Sequence, residues 1–160
     1  MFVKPDYNLN SIYDIDLEEL KKLGIKIILS DLDSTVMPSK SGEFPTEVIK
    51  WISNLRNDFE FAVISNNKSE EYIKTVKAQC NFDVIGNANK PSAKVMREYI
   101  KSKGFKPSET VMVGDRPLTD ILAGKLLGCR TILVDSITKD TEKPIVRFVR
   151  KLERLSVRKF

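Results

Sequence analysis

Short apolar runs alternate with longer amphipathic stretches along most of this 160-residue chain. The short runs are rich in Val, Ile and Phe and predict strands at residues 25–30, 61–65, 82–85, 111–114 and 131–134. The longer stretches predict helices at residues 16–23, 45–57, 69–80, 91–103 and 118–127. Alternation of this kind favours an α/β fold in which helices cover both faces of a parallel sheet.

The composition indicates one globular domain. A chain with 41% hydrophobic and 31% charged residues, at this length, can bury one core without disulfides. Cys80 and Cys129 match no metal-ligand spacing and are typical of small buried residues in a reducing compartment. No apolar run is long enough to cross a bilayer, and the N-terminus has no signal-peptide pattern, so a cytoplasmic protein is expected.

The chain contains no histidine. A Ser-His-Asp triad, a Cys-His pair and a His-ligated zinc site are therefore excluded. Acid–base chemistry near neutral pH is left to carboxylates, lysines or a metal-bound water. The sequence also has no Gly-rich loop ending in Gly-Lys-Ser/Thr, so an NTPase of that kind is not expected.

Polar residues follow the predicted strands, and the carboxyl ends of parallel strands meet at one edge of a sheet. Asp31 and Asp33 come directly after the first strand. Two such carboxylates can share a magnesium ion, while one attacks a substrate and the other handles protons. By itself, this pair is equally typical of an acidic turn.

Three further signals are also ambiguous when each is considered alone. Ser65 and Asn66 follow the second strand and could hold a phosphoryl oxygen, although they are typical of a turn and helix cap. Lys90 precedes a predicted helix with Pro91 at its first position, and it could balance phosphate charge or be a solvated lysine.

The last signal follows the fourth predicted strand. Gly114 permits close backbone approach, and Asp115 could complete a metal site or simply form a turn. Asp120 lies about one helical turn further, where it could orient a metal-bound water or Lys90. The order of all four signals along one sheet edge carries more weight than any of them separately.

This order resembles the haloacid dehalogenase-like (HAD) superfamily of phosphohydrolases. The family's four motifs are matched by Asp31, Asp33 and Thr35 in Asp-x-Asp-x-Thr, by Ser65, by Lys90, and by Gly114, Asp115 and Asp120. A closer resemblance is to the YqeG-type group of subfamily IIIA, which is similar to mitochondrial phosphatidylglycerophosphate phosphatases. This closer resemblance rests on four segments: Pro5-Asp6-Tyr7, Ser11–Ile15, Lys90-Pro91 and Gly114-Asp115-Arg116-x-x-Thr119-Asp120. Ser34 and Val36 depart from the asparagine and leucine expected in that group.

The resemblance implies a three-layer Rossmann-like fold, with a parallel sheet of about five strands and no cap domain. It implies that Asp31 forms an aspartyl-phosphate and that Asp33 serves as general acid and base. Mg²⁺ would be held by the Asp31 and Asp115 side chains and by the Asp33 backbone carbonyl. The remaining implied roles are phosphoryl binding by Ser65 and Lys90, substrate binding by Ser34, Thr35 and Asn66, and support of the metal site by Asp120.

The motif spacing bears on the substrate. Only 31 residues separate Asp33 from Ser65 and 24 separate Ser65 from Lys90, which leaves no room for a cap domain at either point. An open site suits a large or membrane-embedded phosphate ester or a phosphoprotein. The resemblance favours phosphatidylglycerophosphate, with another phosphomonoester as the alternative.

The net positive charge of the chain comes from its last segment. The predicted organisation is an N-terminal lead-in with a short helix (1–24), the core (25–143) and an amphipathic helix (144–160). The last segment has six basic residues and one acidic residue, while the rest has 21 of each. Such a helix can pack on the core or lie on the anionic inner surface of a membrane.

The tail also leaves a different function class open. A binding module could use it on RNA or on a protein assembly. Nucleic acid is not favoured, because the tail shows no interleaving of aromatic and basic residues. The sequence predicts no particular oligomeric state.

Overall fold

The computed structural model describes residues 3–137, which form a parallel sheet between two layers of helices. The strands are β1 (Tyr7–Leu9), β2 (Ile27–Ser30), β3 (Glu60–Ile64), β4 (Asp83–Ile85), β5 (Thr110–Gly114) and β6 (Arg130–Val134). Their order across the sheet is β1-β6-β5-β2-β3-β4, and every neighbouring pair is parallel. The expected three-layer α/β fold is confirmed.

Five α-helices connect the strands. They are α1 (Leu17–Lys22), α2 (Thr46–Leu55), α3 (Glu70–Lys77), α4 (Lys94–Ser102) and α5 (Leu122–Leu127). Short 3₁₀ turns occupy Ile12–Asp14 and Pro107–Glu109, and one π-helical turn, Pro117–Ile121, leads into α5. The prediction that Pro91 opens a helix is wrong: it lies in a turn after a cis Lys90–Pro91 bond, and α4 begins at Lys94.

The N-terminal lead-in supplies a sixth strand, so the prediction of about five strands is corrected to six. The three residues of β1 pair with β6, with Tyr7 opposite Ile132 and Leu9 opposite Val134. Just before β1, the Asp6 carboxylate accepts a hydrogen bond of 2.8 Å from the backbone N–H of Thr131. So short a strand has no periodicity to detect, and its pairing partner lies at the other end of the described chain.

The core has two parts because successive side chains of a strand point to opposite faces. On one face, Ile28 and Val63 pack with residues of α1, α2 and α3. On the other face, Ile27 and Leu29 pack with residues of α4 and α5. Since β2 is buried at every position, it lies at the centre of the molecule and presents its carboxyl end to the site.

Two predictions concern the surroundings of the core: no cap domain and no membrane-spanning segment. Residues 34–64 contain one α-helix and one strand, as do residues 66–89, so the described chain has no cap domain at either point. None of the helices described is both long and apolar enough to cross a membrane. The predicted tail helix, 144–160, lies outside the described residues, as does the end of the predicted core.

Candidate active site

Asp31, Lys90 and Asp120 form the charged centre of the site. Asp31 directly follows β2, and its N–H donates to the carbonyl of Val113 in β5. The ammonium of Lys90 lies 2.8 Å from Asp31 Oδ1 and 2.8 Å from Asp120 Oδ1. The side chains of Lys90 and Asp120 are each 1% exposed, while that of Asp31 is 13% exposed. Asp31 is therefore the most exposed member of this triad.

Burial and mutual charge shift the protonation of this centre. Burial alone would lower the pKa of Lys90, but the carboxylates of Asp120 and Asp31 outweigh it and hold that pKa above its ordinary value. Burial and the charge of Asp31 raise the pKa of Asp120 to about 6, against the opposing effect of Lys90. Lys90 therefore stays charged, while Asp120 keeps its proton to a higher pH than an ordinary aspartate does.

A cluster of carboxylates makes this centre suitable for a cation. Asp31, Asp115 and Asp120 each offer an oxygen, and these oxygens lie within 4.8 Å of one another. Hard oxygen donors suit Mg²⁺, whose charge would offset the negative charge of the three clustered carboxylates. Asp31 and Asp115 were predicted as ligands, whereas Asp120 was predicted only as support. The side chain of Asp33 is not part of this cluster.

The Asp33 carboxylate instead faces helix α3 and the loop after the motif. Its Oδ1 accepts hydrogen bonds from the Tyr72 hydroxyl at 2.7 Å and from the N–H of Lys40 at 2.9 Å. Burial, followed by the hydrogen bond to Asp33, raises the pKa of Tyr72 well above its ordinary value, so the hydroxyl stays protonated. Sequence reasoning missed Tyr72, because the two residues are 39 positions apart and belong to different elements.

Ser34 and Thr35 do not contact the open side of the site. Both are fully buried, and their role in substrate binding stays a prediction. Thr35 Oγ1 donates to Asp115 Oδ1 at 3.0 Å, so this hydroxyl orients a carboxylate of the acidic cluster. Ser34 has a left-handed backbone, with φ of 70°, and its N–H donates to the carbonyl of Met37 in the tight turn after β2.

Ser65 and Asn66 follow β3 and lie beside Lys90. The Ser65 hydroxyl is buried and accepts from the N–H of Asn67 at 3.0 Å. The Asn66 amide brackets the Lys90 backbone, since its Oδ1 accepts from the Lys90 N–H at 2.7 Å and its Nδ2 donates to the Lys90 carbonyl at 2.9 Å. These contacts make Asn66 a clamp on Lys90, and its role in substrate binding stays a prediction.

Steric crowding explains why the fourth motif has a glycine at position 114. A Cβ at Gly114 would collide with the Asp120 side chain, which packs directly over the end of β5. Asp120 Oδ2 also accepts from the N–H of Arg116 at 3.2 Å, while its Oδ1 contacts Lys90. Close approach of the π-helical turn to β5 therefore requires glycine here.

Comparisons with known proteins agree with this geometry. A family model described as HAD-hydrolase-like matches residues 87–146, which include Lys90, Asp115 and Asp120. The "Probable phosphatase YqeG" of Bacillus subtilis is 29% identical over 153 residues, covering 96% of this chain and 88% of that protein. Over residues 87–146 the chain is therefore similar to haloacid dehalogenase-like proteins. Its relatives that are named as phosphatases support a phosphomonoester hydrolase.

Two further comparisons concern length and fold. The "Phosphatidylglycerophosphate phosphatase 1, chloroplastic/mitochondrial" of Arabidopsis thaliana is 33% identical over 161 residues and covers 95% of this chain. The chain spans only 46% of that longer protein. A solved structure of a HAD family enzyme from Bacteroides thetaiotaomicron has a TM-score of 0.54 at 12% identity, covering 75% of this chain and 100% of its own, which supports the fold alone.

Proposed function

We propose that this protein is a Mg²⁺-dependent phosphomonoesterase that works through an aspartyl-phosphate on Asp31. The observation that carries the proposal is the position of Asp31, which is partly exposed at the end of the central strand. Buried Lys90 lies 2.8 Å from it, and Asp115 and Asp120 complete an acidic cluster around it. A carboxylate held among fixed charges in this way is a suitable nucleophile for an anionic phosphate.

The proposed reaction has two displacements on phosphorus. A carboxylate oxygen of Asp31 forms a bond to phosphorus as the bond to the ester oxygen breaks, and Asp33 gives that leaving oxygen a proton. Asp33 then takes a proton from water as the water oxygen attacks phosphorus and releases Asp31. Splitting one displacement into two lowers each barrier, and the acid–base step contributes on the order of 10²–10⁴-fold.

Fixed charges would hold the phosphoryl group during both steps. Lys90, kept protonated by its two carboxylate partners, and the Ser65 hydroxyl are the proposed contacts to the non-bridging oxygens. Asp31 and Asp115 would hold Mg²⁺, with Asp120 completing the cluster and the Asp33 carbonyl as a further oxygen. The bound ion would supply positive charge that screens the carboxylates from the phosphate.

For the substrate, we propose phosphatidylglycerophosphate at a membrane surface. One support is the similarity to the Arabidopsis protein named for that activity. A second is the absence of a cap domain in residues 34–64 and 66–89, which leaves access for a bulky ester. A third is the basic segment 144–160, whose charge suits an anionic lipid surface and a peripheral location there.

Phosphate release from p-nitrophenyl phosphate tests the reaction class. We expect release with Mg²⁺, loss of release with EDTA, and no measurable turnover in Asp31→Asn, because the amide cannot form the phosphoenzyme. Asp83→Asn is the matched control, since Asp83 begins β4 at the opposite end of the sheet. Full activity of Asp31→Asn, or activity that EDTA leaves untouched, would contradict the mechanism.

The substrate requires a separate measurement. We expect kcat/KM for phosphatidylglycerophosphate in mixed micelles to exceed that for nucleotide and sugar phosphates by at least tenfold, because only the lipid matches an open, membrane-facing site. Good turnover of soluble esters with none of the lipid would reject this substrate and leave the reaction class intact.

A further inference from the structure

Asp33 is held by two hydrogen bonds that end on the same oxygen. The Tyr72 hydroxyl on α3 and the N–H of Lys40 in the loop after β2 both donate to Oδ1, at 2.7 and 2.9 Å. Among the residues that the structure describes, no hydrogen bond of this carboxylate ends on Oδ2. The two oxygens of Asp33 therefore have different surroundings, with one anchored and the other left for chemistry.

The anchor itself is firmly placed. Tyr72 lies on the first turn of α3, whose N-terminus is capped by the side chain of Ser69. The loop that carries Lys40 is tied to the same helix region by Gln79, which donates to the carbonyl of Gly42 and accepts from the N–H of Phe44. Tyr72 and Lys40 thus reach Asp33 from two segments that are joined to each other.

We infer that Tyr72 is a positioning residue that fixes the Asp33 carboxyl group and directs its proton to Oδ2. This inference rests on the proposed function, in which Asp33 gives and takes a proton. Oδ1 acts only as an acceptor toward Tyr72 and Lys40, and a carboxyl protonated on Oδ2 still offers Oδ1 as an acceptor. Both hydrogen bonds can therefore persist through protonation and deprotonation, so the group keeps its orientation in both displacements.

Tyr72→Phe tests this inference by removing only the donor. We expect kcat/KM for an alkyl phosphate to fall about tenfold, the size typical for loss of a hydrogen bond to a charged group. The kcat/KM for p-nitrophenyl phosphate should fall less than threefold, because its leaving group needs little protonation. The parameter kcat/KM is the correct readout because it reports the displacement in which the ester bond breaks.

Tyr99→Phe is the matched control. The Tyr99 hydroxyl donates to Asp83 Oδ2 at 2.7 Å, so it makes the same bond at the same length, between α4 and β4. Both tyrosines are half-buried, and the two variants should lose similar stability on unfolding. Only Tyr72→Phe should change the ratio of kcat/KM between the alkyl and the aryl ester.

The outcomes separate this inference from the proposed function. A wild-type protein that releases phosphate from no ester would overturn both. With an active wild type, an unchanged Tyr72→Phe, or one that loses activity equally on both esters, overturns the positioning role alone. In an Asp33→Asn background, Tyr72→Phe should cause no further loss on the aryl ester, whereas an additive loss would show that Tyr72 acts independently of Asp33.

Discussion

Several charged side chains of the site owe their orientation to a neighbour far away in the sequence. Thr35 donates to Asp115, and the Asn66 amide clamps the backbone of Lys90. These contacts matter because an ion in a buried site must be both satisfied and oriented. Thr35 and Asn66, both predicted to bind substrate, therefore also hold charged groups of the site in place.

Asp120 provides a pH-dependent test of this arrangement. Its pKa in the folded protein is about 6, above the ordinary value of 3.8. Between those values the folded state binds more protons than the unfolded state, so the free energy of unfolding rises as pH falls. In EDTA, we expect this group to add about 1 kcal/mol between about pH 7.5 and about pH 5, measured by urea unfolding.

Asp120→Asn should remove that increment, since the amide does not titrate. Asp83→Asn is a control with the opposite shift, because a hydrogen bond from Tyr99 lowers the pKa of Asp83. The stability that Asp83 contributes is present above its ordinary pKa of 3.8 and is lost only below it, outside this window. An Asp120→Asn variant with the wild-type pH slope would contradict the assignment.

At the scale of elements, the most informative comparison is between β2 and β1. β2 is a run of buried apolar residues followed by two aspartates, and the sequence alone locates it to within two residues. β1 has only three residues, and Asp6 anchors it through the N–H and Oγ1 of Thr131 and the ammonium of Lys125, at 2.8, 3.2 and 3.4 Å. Its existence depends on a partner 125 residues away.

Asp6→Ala measures how much this anchor contributes. We expect a loss of about 1–3 kcal/mol in the free energy of unfolding, because the backbone N–H of Thr131 loses its partner. Activity should change little, since β6 and β5 lie between β1 and β2. Asp14→Ala, at an exposed position, should stay within about 0.5 kcal/mol of the wild type by the same urea unfolding. Equal losses in the two variants would contradict the anchoring role.

At the scale of the whole molecule, charge is unevenly distributed. Residues 1–143 have as many acidic as basic residues, while 144–160 add six basic residues and one acidic residue. Because the active site is itself rich in carboxylates, attraction to an anionic surface has to come from elsewhere in the chain. The tail is the segment whose composition provides it.

Binding to vesicles that contain phosphatidylglycerol tests this assignment. Replacing Arg150, Lys151 and Arg154 by Gln in the full chain should weaken binding about 100-fold, since each basic residue contributes about 1 kcal/mol near such a surface. Replacing the exposed Lys68, Lys74 and Lys77 by Gln removes the same charge from α3 and its approach, and should have little effect. Equal weakening would indicate generic charge attraction, and high salt should abolish binding in either case.

The sequence by itself was sufficient for the fold class and for the chemical types at the site. Strand periodicity and the residue after each strand are local properties, and parallel strands with buried faces bring their carboxyl ends to one edge. The sequence therefore located Asp31, Asp33, Lys90, Asp115 and Asp120, and the structure places four of them around one charged centre.

Only the tertiary structure decided which partner each of these residues takes. Tyr72 reaches Asp33 from another helix, Asn66 turns to the Lys90 backbone, and Thr35 is buried against Asp115. The physical reason is that a side chain's partner depends on how elements pack, and packing joins residues of any sequence separation. No local pattern distinguishes a hydroxyl or amide that faces substrate from one that holds its neighbour in place.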